Sequence, residues 1–257
     1  MRRTTKFITS PKEKLSGERV DDFVSVVLLS EKCGYRMKSY GPIPLLRIGG
    51  KCLIDIQIEE IQSVFSEFEI ILCSGFGSTK IAKYIRETYP TLNIRIVENQ
   101  LYEYSNSCES LRLCLNNTTN NKVLVCNGEL MINRDVLSLV SLKSSFILSE
   151  SDKSENLEVG VTINEAGYTE NFCYGIENIW SEILFLHEKS IVESVRSIIS
   201  DAEYKNKFIF EALNELGRTK HRLSVVKNDA SPIVKINNIK TYHQIRKTNE
   251  STNTKLH

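Results

Sequence analysis

The sequence predicts an α/β fold with a mostly parallel central sheet flanked by helices and a smaller antiparallel appendage in its second half. In residues 23–142, apolar runs of strand length alternate with segments of helical periodicity. Such alternation is typical of parallel strands whose connecting helices cover both faces of a sheet. After residue 142, short strand candidates follow one another across polar turns, which indicates antiparallel pairing.

Each element of the first half has its own pattern. Apolar runs bounded by polar or turn residues predict strands at residues 23–30, 69–73, 94–98 and 122–126. Apolar residues spaced three and four apart predict helices at residues 52–65, 78–88, 106–115 and 133–142. Because the strands are expected to be parallel, their crossover connections should be right-handed.

The second half is less regular. It has strand candidates at residues 145–149, 157–163, 167–174 and 222–226, helix candidates at 188–199 and 207–216, and a final strand–helix unit over 233–246. Residues 1–21 and 247–257 are polar and mixed in charge. We therefore expect a flexible N-terminal arm and a flexible C-terminal tail around a single domain that spans residues 22–246.

The composition narrows the functional class. Of the 257 residues, 41% are hydrophobic and 25% are charged, with a net charge of +1, which argues against nucleic-acid binding and favours small-molecule chemistry. The seven cysteines form no CxxC pair, so we interpret them as free thiols in a reducing compartment. No apolar run approaches the ~20 residues that span a membrane. We expect a cytoplasmic protein that does not bind membranes.

The loop after the first strand, residues 31–47, combines a glycine with several cations. Gly34 permits close approach of the backbone, and Lys32, Arg36 and Lys38 have the charge to neutralise a polyphosphate. In open α/β sheets, ligands bind beyond the carboxyl ends of the strands, where this loop lies. The alternative is a solvated cationic loop that binds nothing.

Residues 28–59 contain a series of short motifs: LLSEKCGYRM from the end of the first strand, then Pro-Leu-Leu, Ile-Gly-Gly-Lys and LIDIQIE. Together they resemble the N-terminal signature of the sugar-phosphate and phosphocholine nucleotidyltransferases. Further segments resemble later motifs of that family in the same order: Ser74-Gly75-Phe76, Val97-Glu98-Asn99, Asn106 to Ser110, and Asn127-Gly128-Glu129. Each motif is short, but their shared order and spacing are specific for the fold.

The resemblance implies a GT-A-like, Rossmann-type fold. It also implies a reaction in which a nucleoside triphosphate and a phosphorylated sugar or alcohol give an activated diphosphate and pyrophosphate. By their positions in the motifs, Gly34 and Arg36 would contact the triphosphate, with Arg36 part of the catalytic site. Asn106 and Ser110 would lie near the nucleotide or the acceptor.

The resemblance also implies Mg²⁺ as cofactor and a catalytic lysine. Glu129 and Asn237 occupy the two positions that would hold Mg²⁺. The family lysine, expected to stabilise charge on the attacked phosphate, is replaced by Ile43. Lys32 or Lys38 would then have to take over its catalytic role.

Two other interpretations stay open. In the first, the same fold has a decayed catalytic loop and serves as a binding or structural subunit, with the N-terminal arm docking on a protein partner. In the second and weaker one, the chain is a glycosyltransferase. Against this, the fourth strand ends in Asn127-Gly128-Glu129 rather than in an Asp-x-Asp metal motif.

Overall fold

The computed structural model describes residues 23–140, 142–151, 158–229 and 231–254. The predicted N-terminal arm lies outside these residues, as do residues 255–257 of the predicted tail. Helical backbone continues to Thr254, so most of the segment predicted as a flexible tail belongs to the last helix. Among the described residues, no helix combines the length and the apolar character needed to cross a membrane.

Strands and helices alternate along the chain. The strands are β1 (Val24–Ser30), β2 (Arg47–Ile48), β3 (Lys51–Cys52), β4 (Phe68–Ser74), β5 (Ile94–Glu98), β6 (Val123–Asn127), β7 (Leu130–Met131), β8 (Phe146–Ser151), β9 (Val159–Ile163), β10 (Thr169–Tyr174), β11 (Asn178–Leu186), β12 (Ser224–Lys227) and β13 (Val234–Lys235). The α-helices are α1 (Leu53–Val64), α2 (Ser78–Thr88), α3 (Ser107–Leu115), α4 (Arg134–Ser138), α5 (Lys189–Ser200), α6 (Ile209–Gly217) and α7 (Ile239–Thr254). Short 3-10 helices cover Lys38–Tyr40, Ile43–Leu45 and Ala202–Asn206.

A nine-stranded central sheet organises the described part of the chain. Strands β6, β1, β4 and β5 are neighbours in that order and run parallel. Strand β11 joins the other edge of β6 in the antiparallel direction, and β8, β9, β10 and β12 continue the sheet beyond it. The predicted fold class is confirmed, and the antiparallel strands are an extension of the same sheet.

Strand β1 shows why the parallel part needs helices on both faces. Val26 and Leu28 pack in a cluster with side chains of α1, α2 and α4, whereas Val27 and Leu29 pack with those of α3, α5 and α6. Successive side chains of a strand point to opposite faces, so a continuous apolar run is buried on both. The predictions of β1, α2 and β5 from such patterns are confirmed.

The sequence does not predict β11, the strand that joins the two halves of the sheet. The polar pair Ser181 and Glu182 divides its apolar run, which hides the strand pattern. At the same place the register between β11 and β8 shifts, between Trp180 and Leu184. The helix predicted at residues 133–142 is also shorter in the structure, since α4 ends at Ser138.

A third apolar cluster lies between the loop after β1 and the C-terminal segment. Met37 and Ile43 of the loop pack there with Ile236. The amide of Tyr35 donates a hydrogen bond of 2.8 Å to the carbonyl oxygen of Asn237. Two segments far apart in the sequence therefore meet at the carboxyl end of β1.

Candidate functional site

A cleft of about 870 Å³ opens beyond the carboxyl ends of β1 and β6. It is lined by residues of β1, β6, β11 and β13, by the start of α3 and by the segment that leads into α6. This is the edge at which open α/β sheets bind their ligands. The volume falls within the roughly 300–1,000 Å³ of small-molecule sites.

The structure brings some of the sequence-predicted site residues together in this cleft and leaves others outside it. Those that line the cleft are Lys32, Asn106, Glu129 and Asn237. Those that do not line it are Gly34 and Ser110, which are buried, and Arg36 and Lys38, which are exposed. The four lining residues come from four separate segments of the chain.

Glu129 and Asn237 are neighbours because β7 pairs with β13 in the antiparallel direction. The amide of Ile236 donates to the carbonyl oxygen of Glu129 at 2.8 Å. Gly128 allows this end of β6 to pass close to β1, since a Cβ atom there would lie 1.8 Å from Oγ of Ser30. No side chain larger than hydrogen fits at that crossing.

Lys32 is anchored by two backbone carbonyls. Its Nζ donates hydrogen bonds of 2.7 Å to the carbonyl oxygens of Tyr102 and Ser105. These contacts hold the loop between β5 and α3 against the end of β1. The ammonium thus brings positive charge to the cleft while it also supports the loop.

Gly34 is required for close packing of the loop after β1. A Cβ atom on Gly34 would lie 2.6 Å from Sδ of Met37 and 3.1 Å from the carbonyl oxygen of Asn237. The buried methionine side chain is flexible and adjusts more easily than the backbone carbonyl. The glycine therefore serves the contact between this loop and the C-terminal segment.

Arg36 and Lys38 lie on the exposed part of the loop after β1. Arg36 has a φ of 58°, and its guanidinium lies 5.1 Å from the centre of the Tyr35 ring. Burial raises the pKa of the Cys33 thiol, the charge of Lys38 lowers it and the charge of Glu129 raises it again. Lys38 and Glu129 are therefore both within electrostatic range of the same thiol.

Asn106 and Ser110 begin the helix that borders the cleft. Oδ1 of Asn106 accepts a hydrogen bond of 3.0 Å from the amide of Ser107, next to the first turn of α3. Ser110 is fully buried and accepts a hydrogen bond of 3.0 Å from Nδ2 of Asn99. Asn106 is accessible to a ligand, whereas Ser110 lies underneath the lining.

An ion pair that the sequence does not predict completes the lining. Nζ of Lys235 lies 2.5 Å from Oε1 of Glu182, and Nδ2 of Asn127 donates to Oε2 of the same carboxylate. The signal for each residue was a charge inside an apolar run, Glu182 within β11 and Lys235 between Val234 and Ile236. A single sequence does not show that the two residues form an ion pair, because 53 positions separate them.

Burial perturbs the acidic groups of the cleft. It raises the pKa of Glu129 to about 7; the charge of Lys235 lowers this pKa, and those of Glu182 and Glu31 raise it. Burial also raises the pKa of Glu31, and Oε2 of Glu31 is buried without a hydrogen-bond partner. Burial lowers the pKa of Lys235, but the carboxylates of Glu182 and Glu129 outweigh it and the net shift is upward.

The lining is acidic and partly aromatic. The carboxylates that line the cleft are Glu31, Glu129, Glu150, Glu158 and Glu182, against the ammonium groups of Lys32 and Lys235. The aromatic side chains that line it are Tyr174, Trp180, Phe208 and Phe210. The ring centres of Tyr174 and Phe210 lie 5.7 Å apart, edge to face. Such a lining attracts cationic groups.

Solved structures share this architecture. The CTP:phosphocholine cytidylyltransferase LicC of Streptococcus pneumoniae superimposes with a TM-score of 0.71 at 18% identity, over 88% of this chain and 98% of that one. The chain has the nucleotidyltransferase fold. The inositol-1-phosphate CTP transferase of T. maritima gives a TM-score of 0.70 at 14% identity, over 88% and 96% of the two chains.

A UDP-glucose pyrophosphorylase complexed with UDP-glucose also shares the nucleotidyltransferase fold, with a TM-score of 0.69 at 13% identity over 90% of this chain and all of that one. By contrast, no family model and no curated protein matches the sequence. The sequence resemblance to nucleotidyltransferases is thus confirmed at the level of the fold.

The donors at the implied Mg²⁺ position do not fit that ion. Oδ1 of Asn237 already accepts a hydrogen bond of 2.8 Å from Nδ2 of Asn238, and the positive charge of Lys235 acts on Glu129. In the described part of the chain, no group of three or more His, Cys, Asp or Glu side chains is arranged to hold a metal ion. Mg²⁺ prefers an octahedron of oxygen ligands, and a neighbouring ammonium repels it.

Proposed function

We propose that this chain is a nucleotidyltransferase that joins the nucleotidyl group of a nucleoside triphosphate to a phosphorylated acceptor and releases pyrophosphate. The observation that carries this function is the cleft beyond β1 and β6, in which Lys32, Asn106, Glu129 and Asn237 border one space. The fold, shared with solved enzymes named for phosphocholine and inositol 1-phosphate, supports the assignment.

The proposed reaction is an in-line displacement at phosphorus. A phosphate oxygen of the acceptor forms a bond to the α-phosphorus of the triphosphate. The bond from that phosphorus to the α,β-bridging oxygen breaks, and pyrophosphate leaves with the electron pair. Because the attacking oxygen is already anionic, positioned cations contribute more than a protein nucleophile or base. The proposed displacement uses no Mg²⁺, because the donors present do not fit that ion.

The proposed roles of the site residues depend on the charges of their side chains. Arg36 and Lys38 contact the β- and γ-phosphates from the exposed loop after β1, and Gly34 keeps their loop close to the C-terminal segment. Lys32 supplies a fixed positive charge at the end of β1. Asn106 contacts the nucleotide or the acceptor, while the buried Ser110 orients α3 from below.

The lining favours a phosphorylated alcohol with a cationic headgroup over a sugar phosphate. Tyr174 and Phe208 are 52% and 45% exposed, which leaves part of each ring accessible to a ligand. A cation over such a face is stabilised by about 0.5–2 kcal/mol, and nearby carboxylates add to this attraction. The similar CTP:phosphocholine cytidylyltransferase is named for an acceptor of this kind.

A catalytically silent binding subunit with the same fold is the second candidate. It is favoured by Ile43, which is 1% exposed and packs in the third apolar cluster. Ile43 lines the cleft with an apolar side chain, so this position brings no ammonium to it. A binding subunit of this kind would hold a nucleotide without turning it over.

Pyrophosphate release separates the two candidates. Each common nucleoside triphosphate is incubated with phosphocholine, phosphoethanolamine or a hexose 1-phosphate. We expect turnover with a cationic acceptor and a kcat/KM about tenfold lower for Arg36→Ala. The matched control is Arg86→Ala, an exposed arginine of α2, which should leave kcat/KM unchanged.

If no turnover is detected, the effect of nucleotide on the Tm distinguishes two cases. Absence of turnover with a nucleotide-dependent rise in Tm would favour the binding subunit, because a ligand that binds only the folded state raises stability. Absence of both turnover and a Tm shift would contradict both candidates.

A further inference from the structure

Lys235 brings an ammonium group into the cleft from β13. Its Nζ lies 2.5 Å from Oε1 of Glu182, and the two side chains are 28% and 30% exposed. Leu130, the residue after Glu129, is its partner in the pairing of β7 with β13. Glu129 is close enough for the charges of the two side chains to interact. The positive charge is therefore paired with a carboxylate of β11 and also acts on one at the end of β6.

The backbone around Glu182 is shaped for this contact. Glu182 has a φ of 56°, a left-handed conformation that is strained for a residue other than glycine. It lies where the register of β11 with β8 shifts, between Trp180 and Leu184. Strained residues of this kind concentrate at functional sites. Here the irregularity coincides with a carboxylate that binds both Lys235 and Asn127.

We infer that the ammonium of Lys235 takes the place of the divalent cation in this cleft, so that phosphate binding depends on Lys235 and is independent of divalent metal. Lysine is a compact point charge suited to phosphate oxygens. Glu182 holds it in place, as the ligands of a metal hold the ion. The phosphate part of this inference rests on the proposed function, whereas the exclusion of metal by Lys235 does not.

The metal part is tested on the protein alone by Mn²⁺ titration, with free Mn²⁺ measured by electron paramagnetic resonance. Lys235→Met removes the charge, and Lys240→Met, an exposed lysine of α7, is the matched control. We expect Lys235→Met to bind Mn²⁺ at least about tenfold more tightly than the wild type and the control, because a neighbouring positive charge is gone. Lys235→Arg, which keeps the charge, should behave as the wild type.

Two results would overturn the metal part. One is Mn²⁺ binding by the wild type that Glu129→Gln abolishes. The other is an unchanged affinity in Lys235→Met. Circular dichroism and Tm establish that each variant is folded, and Glu182→Gln gives a second test if Lys235→Met is not. Releasing the anchor of Lys235 in this way should weaken phosphate binding without restoring Mn²⁺ binding.

The phosphate part is tested by calorimetric titration with inorganic pyrophosphate in EDTA. We expect the wild type and Lys240→Met to bind equally in EDTA and in Mg²⁺, and Lys235→Met to bind at least about tenfold more weakly. Binding that requires Mg²⁺, or that survives in Lys235→Met, would overturn it. If the turnover assay fails while these results hold, the proposed function falls and the role of Lys235 stands.

Discussion

The amide of Ile236 donates a hydrogen bond of 2.8 Å to the carbonyl oxygen of Glu129. This contact extends the pairing of β7 with β13 and sets the C-terminal segment against the end of β6. As a result, Glu129, Lys235 and Asn237 border one cleft. The cleft at this edge of the sheet is thus completed by residues from near the other end of the described chain.

Gly128→Ala should disrupt this edge. The new Cβ atom would lie 1.8 Å from Oγ of Ser30 and 2.9 Å from the carbonyl oxygen of Leu29, so β1 and β6 would have to separate. We expect urea denaturation to show a free energy of unfolding lower by about 3 kcal/mol. The control is Gly217→Ala, where the nearest atom is 3.8 Å away. Equal stability of the two variants would disprove the close crossing.

Lys32→Met should loosen the loop between β5 and α3. It removes two hydrogen bonds of 2.7 Å to the carbonyl oxygens of Tyr102 and Ser105, and we expect a loss of about 2 kcal/mol in the free energy of unfolding. Hydrogen exchange of residues 99–105 should accelerate. Lys80→Met, on the exposed face of α2, should change neither quantity. Unaltered exchange in Lys32→Met would show that the anchor is unimportant.

Glu129 should make the folded state less stable as the pH rises. Burial raises its pKa to about 7 from the ordinary 4.5, with Lys235 opposing and Glu182 and Glu31 adding to the shift. The stabilising effect of the proton is full below the unfolded-state pKa of 4.5, and it is lost as the pH rises through 7. The change is on the order of 3 kcal/mol.

Glu129→Gln should flatten that dependence. Urea denaturation between about pH 5 and pH 8 measures the free energy of unfolding of both proteins. We expect the variant to gain stability relative to the wild type as the pH rises. If the pH dependence of stability persists in Glu129→Gln, it would have to come from another group. Glu31 is that group, because burial raises its pKa too, and Glu31→Gln would then remove the pH dependence.

Ile43→Lys separates the two candidate functions. Ile43 is 1% exposed in an apolar cluster. An ammonium at this position should therefore lower the free energy of unfolding by about 2–4 kcal/mol. Ile43→Met, which nearly keeps the volume, should cost less than about 1.5 kcal/mol. If Lys235 supplies the charge, the substitution brings no gain in pyrophosphate release. A gain would instead support the silent binding subunit.

Local patterns in the sequence are enough to predict β1, α2 and β5, because each is a continuous run with one periodicity. They do not predict β11, whose apolar run is interrupted by Ser181 and Glu182. The irregular backbone at Glu182 is stabilised by tertiary contacts with Lys235 and Asn127. No local propensity reports such contacts.

Sequence motifs predict only some of the residues at the candidate site. Glu129 and Asn237 stand at motif positions, and both line the cleft. Arg36 stands at a motif position too, and Lys38 follows that motif, but both lie on the exposed part of their loop. The pair of Lys235 and Glu182 has no motif, since it depends on the antiparallel pairing of β7 with β13 and on a strand that the sequence does not predict.

Mass spectrometry of the product tests most directly whether the chain transfers a nucleotidyl group. The full chain is incubated with a nucleoside triphosphate and phosphocholine, with Lys235→Met and Lys240→Met in parallel. Nucleotidyl transfer predicts a nucleoside diphosphate-linked choline and an equal amount of pyrophosphate from the wild type and from Lys240→Met, and about tenfold less from Lys235→Met. Absence of that product with every common triphosphate and with sugar-phosphate acceptors, from a folded protein, would contradict nucleotidyl transfer.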